Sequence, residues 1–295
     1  MTTDAMRSRF VVVGDAMVDY TVRLSTDVCA DEKCTVIESH RGLGGTGANA
    51  AATIRLLGGC VELFAAVSDD AYGYWIRDQL ADARIGTGHL RYVTGASPQS
   101  TIVLFNGKRC VLVDRGVADG VPIPALEDLE DVAAIYVSDP IASLGGLDVP
   151  TGVVLIVGVE YQMVEELSVA SLMKADVIIT NAAGWPLLSS LGIPVPILET
   201  RGSDGVRIHE GTGGMVDIPT EAVRTENATG AGDAFAGAFC WYYSRPMSLV
   251  DAVGHACVVG SLAAASHESQ LDRLDPDDIE RRWKERGNAA IRRPR

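Results

Sequence analysis

The sequence predicts an α/β chain with a doubly wound, mostly parallel sheet, helices on both of its faces, and a small β-sheet lid. Three observations predict it. Short apolar runs recur from Phe10 to Leu198, and most precede a helical stretch. That alternation builds a parallel sheet covered on both sides. Two regions, about 19–40 and 90–113, alternate less cleanly and read as strands of a small projecting sheet. Glycine-rich turns stand directly before apolar helices at Gly44-Gly45 and at Gly230–Gly232.

Phe10-Val-Val-Val-Gly14 is an apolar run closed by glycine, a buried strand. Tyr20–Leu24 and Cys34–Ser39 are two more strands, of mixed polarity. Thr46–Leu57 reads as a helix stopped by Gly58-Gly59. Val61–Val67 is a strand and Ala71–Ala83 a helix. Leu90–Val93, Ser100–Phe105 and Arg109–Val113 are strands, and Asn106-Gly107 joins the last two as a hairpin. Strands Ala134–Val137, Val153–Val157, Val177–Ile179 and Val195–Leu198 follow, with helices such as Gln162–Met173 and Ala182–Leu191 between them. A glycine-punctuated meander runs from Gly205 to Ile218. Helices Gly232–Tyr243, Leu249–Ser266 and Pro276–Arg286 close the chain, and the basic stretch Arg281–Arg295 reads as a solvated end.

A length of 295 residues, 47% of them hydrophobic, suits one domain over 1–295 with the lid as its appendage. Lys and Arg number 25 against 39 Asp and Glu, a net charge of -14. Such a surface repels nucleic-acid phosphates and anionic membranes, so neither is an expected partner. No apolar run approaches the roughly 20 residues that span a bilayer. Met1–Arg9 lacks the order of a signal peptide, and a cytoplasmic protein is expected. The six cysteines include no Cys-x-x-Cys pair and read as reduced thiols. A lid sheet offers an edge on which a second copy could pair, giving a homodimer.

The segment Asn227–Phe239 places the turn Thr229-Gly-Ala-Gly-Asp233 before an apolar helix. Gly230 and Gly232 lack Cβ, so backbone can approach a ligand closely. The first N–H groups of the helix have no intrahelical partner and, with the helix dipole, make an anion site. Asp233 beside that site would repel phosphate. It makes sense as a base that takes a proton from a hydroxyl while phosphate is held nearby. The plainer alternative is an acid complementing the dipole of a helix N-terminus. No Gly-x-x-x-x-Gly-Lys-Ser/Thr occurs. Gly42-Leu-Gly-Gly-Thr-Gly47 matches Gly-x-Gly-x-x-Gly, but no acid stands at the distance a ribose-binding residue needs.

Three segments join into a stronger pattern: Gly14-Asp-Ala-Met-Val-Asp19, Gly44-Gly45-Thr-Gly-Ala-Asn49 and Thr229-Gly-Ala-Gly-Asp233. With Ser68-Asp-Asp-Ala-Tyr-Gly73, they resemble in order and spacing the ribokinase-like (PfkB) carbohydrate kinase family, from about 10 to 285. The resemblance implies a ribokinase-like fold and ATP-dependent phosphorylation of a sugar or sugar-like alcohol, with Mg2+. It implies that Asp233 deprotonates the acceptor hydroxyl and that Gly230, Ala231 and Gly232 form the anion hole. Asp19, Gly44, Gly45 and Asn49 match positions that line the sugar pocket. Asn181, Thr200, Gly202 and Gly205 match the nucleotide side, and His255 falls near the adenine pocket. On their residues alone, Asp19 reads first as a surface turn acid, Asn49 as a capping or packing residue, Thr200 and Gly205 as turn residues, and His255 as a core histidine.

Two positions depart from the family pattern. Asn181-Ala-Ala-Gly184 lacks the glutamate of Asn-x-x-Glu, which leaves the metal ligands unassigned. Asn227 stands where the family commonly has Asp. Nucleoside and phosphosugar kinases of the same family are alternatives. A phosphosugar would need a cation facing the pocket, for which Arg41, Lys108 and Arg115 are candidates. Arg115 and Asp139 follow strands and read equally as exposed loop charges. A catalytically silent sugar- or nucleotide-binding protein on the same fold is a further alternative.

Overall fold

The computed structural model describes residues 9–28, 31–121, 129–138, 144, 146–159, 169–211, 213–223, 229–266, 270–286 and 291. The strands are β1 (Arg9–Val13), β2 (Met17–Leu24), β3 (Val36–Gly44), β4 (Cys60–Ser68), β5 (Leu90–Val93), β6 (Gln99–Phe105), β7 (Lys108–Asp114), β8 (Val132–Val137), β9 (Val154–Val159), β10 (Val177–Asn181), β11 (Ile197–Thr200), β12 (Val206–His209) and β13 (Met215–Ile218). The helices are α1 (Thr46–Leu56), α2 (Ala71–Asp82), α3 (Val169–Leu172), α4 (Trp185–Ser190), α5 (Ala231–Tyr243), α6 (Leu249–Ala264) and α7 (Pro276–Arg286).

Nine strands form the main sheet in the order β13-β12-β11-β10-β9-β8-β1-β4-β5. The pairs from β5 to β11 are parallel, and β12 and β13 add an antiparallel edge. The run Phe10–Val13 is apolar throughout because both its faces are buried. Phe10 and Val12 pack with α1, α5 and α6, while Val11 and Val13 pack on the opposite face with Leu172 of α3 and Leu188 of α4. The chain leaves β1 in one direction through β4 and β5 and returns on its other side through β8. Open sheets of this kind bind ligands at that switch point, outside the carboxyl ends of the strands.

The other four strands form the small sheet, in the order β3-β2-β6-β7. β2–β3 and β6–β7 are antiparallel and β2–β6 is parallel. Asn106 and Gly107 both carry positive φ, 45° and 71°, as a tight hairpin between twisted strands requires. The expected lid boundary is corrected at one strand. Leu90–Val93 pairs in parallel with Ala65–Ser68 at the edge of the main sheet. It completes one more strand–helix–strand unit after α2, and its mixed polarity is that of an edge strand. β3 also runs past Ser39 to Gly44, which brings the first glycine turn onto the end of the small sheet.

Of the four connections between this sheet and the body, the two that flank β6 and β7 touch. Val117 N–H donates to the Ala96 carbonyl at 3.0 Å, and a Cβ on Gly116 (φ 48°) would lie 2.3 Å from that same oxygen. Asp70, the N-cap of α2, accepts from the Ser97 hydroxyl at 2.5 Å and from its N–H at 3.3 Å.

α1 starts without a side-chain cap of its own. Asp15, in the β1–β2 connection, supplies it: its Oδ1 accepts from Gly47 N–H at 3.2 Å and its carbonyl from Ala48 N–H at 3.0 Å. This seating needs glycine. A Cβ on Gly47 would lie 2.8 Å from the Asp15 carbonyl and 2.9 Å from Gly14 Cα. On its other side α1 packs against α5, where a Cβ on Gly237 would lie 2.4 Å from the Ala50 carbonyl.

α4 begins later than the expected Ala182. Asn181 Oδ1 accepts from Ala183 N–H at 3.1 Å and Gly184 N–H at 2.9 Å, an Asx turn that holds these residues outside the helix. Of the expected helix Gln162–Met173, the stretch 162–168 lies outside the described residues. The five described cysteines are free thiols. No described helix is long and apolar enough to cross a membrane.

Replacing Gly237 with Ala forces a methyl against the α1 backbone. Overpacking of this kind costs about 1–3 kcal/mol. Gly237→Ala is expected to lower the midpoint of urea unfolding by a corresponding amount; an unchanged midpoint would mean that α1 and α5 do not meet this closely.

Candidate active site

α5 opens at Ala231 behind Gly230, which sits in the left-handed region at φ 79°. Few other residues hold that angle, so the glycine is required by the turn. A Cβ on Gly232 would meet nothing within 4 Å. Gly232 is therefore not demanded by packing, and its absent side chain leaves the first-turn N–H groups approachable. Asp233, half-buried, lies in that same first turn.

Its neighbour comes from α1. Asn49 Nδ2 donates to Asp233 Oδ2 at 2.9 Å, bridging 184 residues of sequence. Asn49 is buried, and its Oδ1 accepts from Gln270 Nε2 at 2.9 Å. Gln270 lies in the connection between α6 and α7, and no motif marks it in the sequence.

Asp19, on β2, is 5% exposed. Its Oδ1 accepts from the Ser100 hydroxyl of β6 at 2.6 Å. Burial pushes its carboxyl up to about 6; the Ser100 bond works against the rise and the charge of Asp15 adds to it. Gly44 stands against it, since a Cβ there would fall 2.0 Å from the Asp19 carboxyl. Gly45 follows at φ 97°, with the Asp15 carbonyl 2.8 Å from where its Cβ would be. The run Gly44–Asn49 thus leads from beside Asp19 directly to Asp233. Ser100 could have been sought in the sequence only by knowing that β2 and β6 pair.

The small sheet also reaches the α5 turn. Arg109 of β7 donates from Nη1 to the Thr229 hydroxyl at 3.0 Å. Arg41 instead lies over the Tyr72 ring, 5.4 Å from its centroid, and Arg115 pairs with Asp119 at 2.7 Å. Lys108 is exposed at the hairpin end of β7. Asp139 and Asn227 lie outside the described residues.

Asn181 and Thr200 end neighbouring strands and are register partners. The Thr200 hydroxyl donates to the Thr180 carbonyl at 3.1 Å. Gly202 (φ 56°) and Gly205 (φ 86°) shape the turn that follows, and a Cβ on Gly205 would fall 2.1 Å from the Ile218 carbonyl. His255 packs inside α6. It is 2% exposed, its Nδ1 meets the Asp251 carbonyl at 2.6 Å and its Nε2 bonds Glu280. Nδ1 is held within α6 and Nε2 joins α6 to α7, so both ring nitrogens have partners.

Among the described residues of the nucleotide side, side chains do not gather into a magnesium site. Asn181–Gly184 offers no carboxylate, and Asn181 Oδ1 already holds its Asx turn. Glu199 pairs with His209 at 2.8 Å, and Asp217 with Arg201 and Arg207 at 2.8 and 2.7 Å. Among the described residues no three His, Cys, Asp or Glu side chains gather to hold a metal.

The sequence matches the model of the pfkB family carbohydrate kinases over residues 7–151 and 188–275. It is 25% identical to the ribokinase of Bacillus subtilis, with 91% of this chain and 97% of that protein aligned. The fold is similar to that of Burkholderia thailandensis nucleoside kinase in complex with inosine (TM-score 0.78, 20% identity, 94% of this chain and 98% of that one). It is also similar to Arabidopsis thaliana ribokinase complexed with ribose and ATP (TM-score 0.76, 20% identity, 95% and 99%).

The raised carboxyl of Asp19 makes a stability prediction. Its folded-state value near 6 lies above the ordinary 3.8, so the folded protein takes up this proton first. Stability from this group is fully present below the lower value and is lost as pH rises through the higher one. The burial corresponds to at most about 3 kcal/mol. Asp19→Asn is expected to raise the thermal midpoint at pH 8 and to flatten the stability curve across that acid range. A variant less stable at pH 8, with the pH dependence intact, would contradict it.

Proposed function

This chain belongs to the pfkB family of carbohydrate kinases, and from that premise we propose that it transfers the γ-phosphoryl group of ATP to a hydroxyl of an uncharged sugar or nucleoside. The observation that carries this reading is the contact between Asn49 and Asp233. It joins the helix that follows the Asp19–Gly44 pocket to the turn suited to phosphate.

Asp233 is the base in this reading. It takes the acceptor hydroxyl proton as that oxygen bonds to the γ-phosphorus, and the bond to the bridging oxygen breaks to release ADP. The N–H groups of Gly230, Ala231 and Gly232, with that of Asp233, receive the charge on the transferring group. Arg109, poised on Thr229, supplies a cation to the same phosphoryl oxygens. Asp19 accepts from vicinal hydroxyls, which ribose and ribonucleosides both carry. Asn181, Thr200, Gly202 and Gly205 take the nucleotide side. Magnesium belongs to this reading as a companion of the triphosphate, and its charge would offset that of the phosphates.

An uncharged acceptor is favoured over a phosphosugar because Arg41 and Arg115 have partners elsewhere, Lys108 lies exposed at the hairpin end of β7, and Arg109 serves the transfer turn. The acid that faces the acceptor, Asp19, would repel a second phosphate. A coupled assay over sugars, nucleosides and sugar phosphates tests this. Turnover confined to sugar phosphates would overturn the uncharged acceptor; tight binding without turnover on anything would favour a silent binder. Asp233→Asn is expected to lower kcat by about 10²–10⁴-fold with nucleotide affinity nearly unchanged. Retention of most activity would remove Asp233 from the base role.

We also propose a second copy of this chain as partner. β7 is exposed along its whole length at the sheet edge, and antiparallel pairing with its own copy about Val111 would set Lys108 against Asp114. Light scattering should give a dimer that Val111→Pro converts to monomer; a monomeric wild type refutes it.

A further inference from the structure

We infer that Gln270 is a positioning residue for Asp233, acting through Asn49; the inference rests on Asp233 being the base. A terminal amide is nearly symmetric in shape but not in charge. Turned one way it offers a carboxylate an N–H; turned the other way it offers a carbonyl oxygen, which repels it. Asn49 sits on a fixed backbone. Its N–H donates to the Gly45 carbonyl at 2.9 Å, and its carbonyl accepts from the Thr53 hydroxyl at 3.1 Å. Its side chain is only 5% exposed, so solvent does little to choose the orientation. Gln270 makes the choice: its Nε2 donates to Asn49 Oδ1 at 2.9 Å, which leaves Asn49 Nδ2 to donate to Asp233 Oδ2 at 2.9 Å.

The consequence is chemical. A hydrogen bond to the charged form of an acid favours that form. With the amide in this orientation Asp233 is held ionised and fixed in direction, as a base must be before it can accept a proton. With the amide reversed, the Asn49 oxygen would face the carboxylate, favour its protonated form and misalign it. The charged groups on the surrounding elements are Asp15 and Asp19 on the β1–β2 side and Arg109 on β7. Asp251 and His255 of α6 are bonded to Trp283 and Glu280, and Arg55 of α1 to the Gly59 carbonyl. None of these bonds the Asn49 amide; its partners are Asp233 and Gln270, and Gln270 is the one that holds the orientation from the side away from the carboxylate.

The test is the pH profile of kcat at saturating acceptor and ATP for two variants. Gln270→Met keeps the length of the side chain and removes the donor. Gln270→Glu replaces the donor with an acceptor that draws Asn49 Nδ2 to itself. Measuring kcat matters, because the free-enzyme profile also contains Asp19, whose carboxyl titrates near 6. The acid limb is expected to move up by roughly half a pH unit to one unit in Gln270→Met and further in Gln270→Glu, with KM for ATP little changed. Thermal midpoints are recorded beside the profiles. Lower midpoints with an unmoved acid limb would overturn the inference and leave only a packing role. Should Asp233→Asn lose its activity while both Gln270 variants keep the wild-type profile, this inference fails and the base assignment stands. Full activity in Asp233→Asn would instead remove the base assignment itself.

Discussion

The site depends on how tightly the start of α1 sits on the β1–β2 connection. Asp15 reaches across from one glycine-bounded turn to hold the N–H of Gly47, and its carbonyl holds Ala48. Gly14, Gly45 and Gly47 make that approach sterically possible. Everything polar in the cleft follows from it. With α1 seated there, Gly44 lies against Asp19, Asn49 lies against Asp233, and the small residues of α1 and α5 close on each other. A helix displaced by one ångström would lose the hydrogen bond between Asn49 and Asp233 and open a gap beside Asp19. Close packing and polar geometry are here one constraint.

Much of this was legible in the residues because it is local. The apolar run Phe10–Val13, the pair Asn106-Gly107 and the turn before α5 each announce a structure that nearby atoms enforce. The glycine turn before α5 also points to phosphate chemistry without any tertiary knowledge. What stayed hidden was long-range. Ser100, Arg109 and Gln270 gain their meaning only from partners 81, 120 and 221 residues away. Leu90–Val93 was assigned to the wrong sheet because an edge strand and a lid strand have the same polarity pattern. His255 likewise gains its Glu280 partner only from the packing of α7 on α6.

The two acids of the cleft are kept in different surroundings. Asp19 is nearly sealed, with one hydroxyl donor, and its charge is costly. Asp233 is half-buried at a helix N-terminus, where the dipole and an amide N–H favour charge. The first environment wants hydroxyl donors brought to it, and the second wants its charge kept until a proton arrives. A chain of net charge -14 must also admit a polyanion, and Arg109 sets a cation at the turn where that polyanion would dock.

The contact of Ala96–Ser97 with Gly116–Val117 joins the two later of the four connections between the small sheet and the body. Asp70 ties that point to the first turn of α2. β6 and β7 are the strands these two connections carry, and they bear Ser100 and Arg109. The places of both residues are thus set in part by contacts that lie outside the cleft.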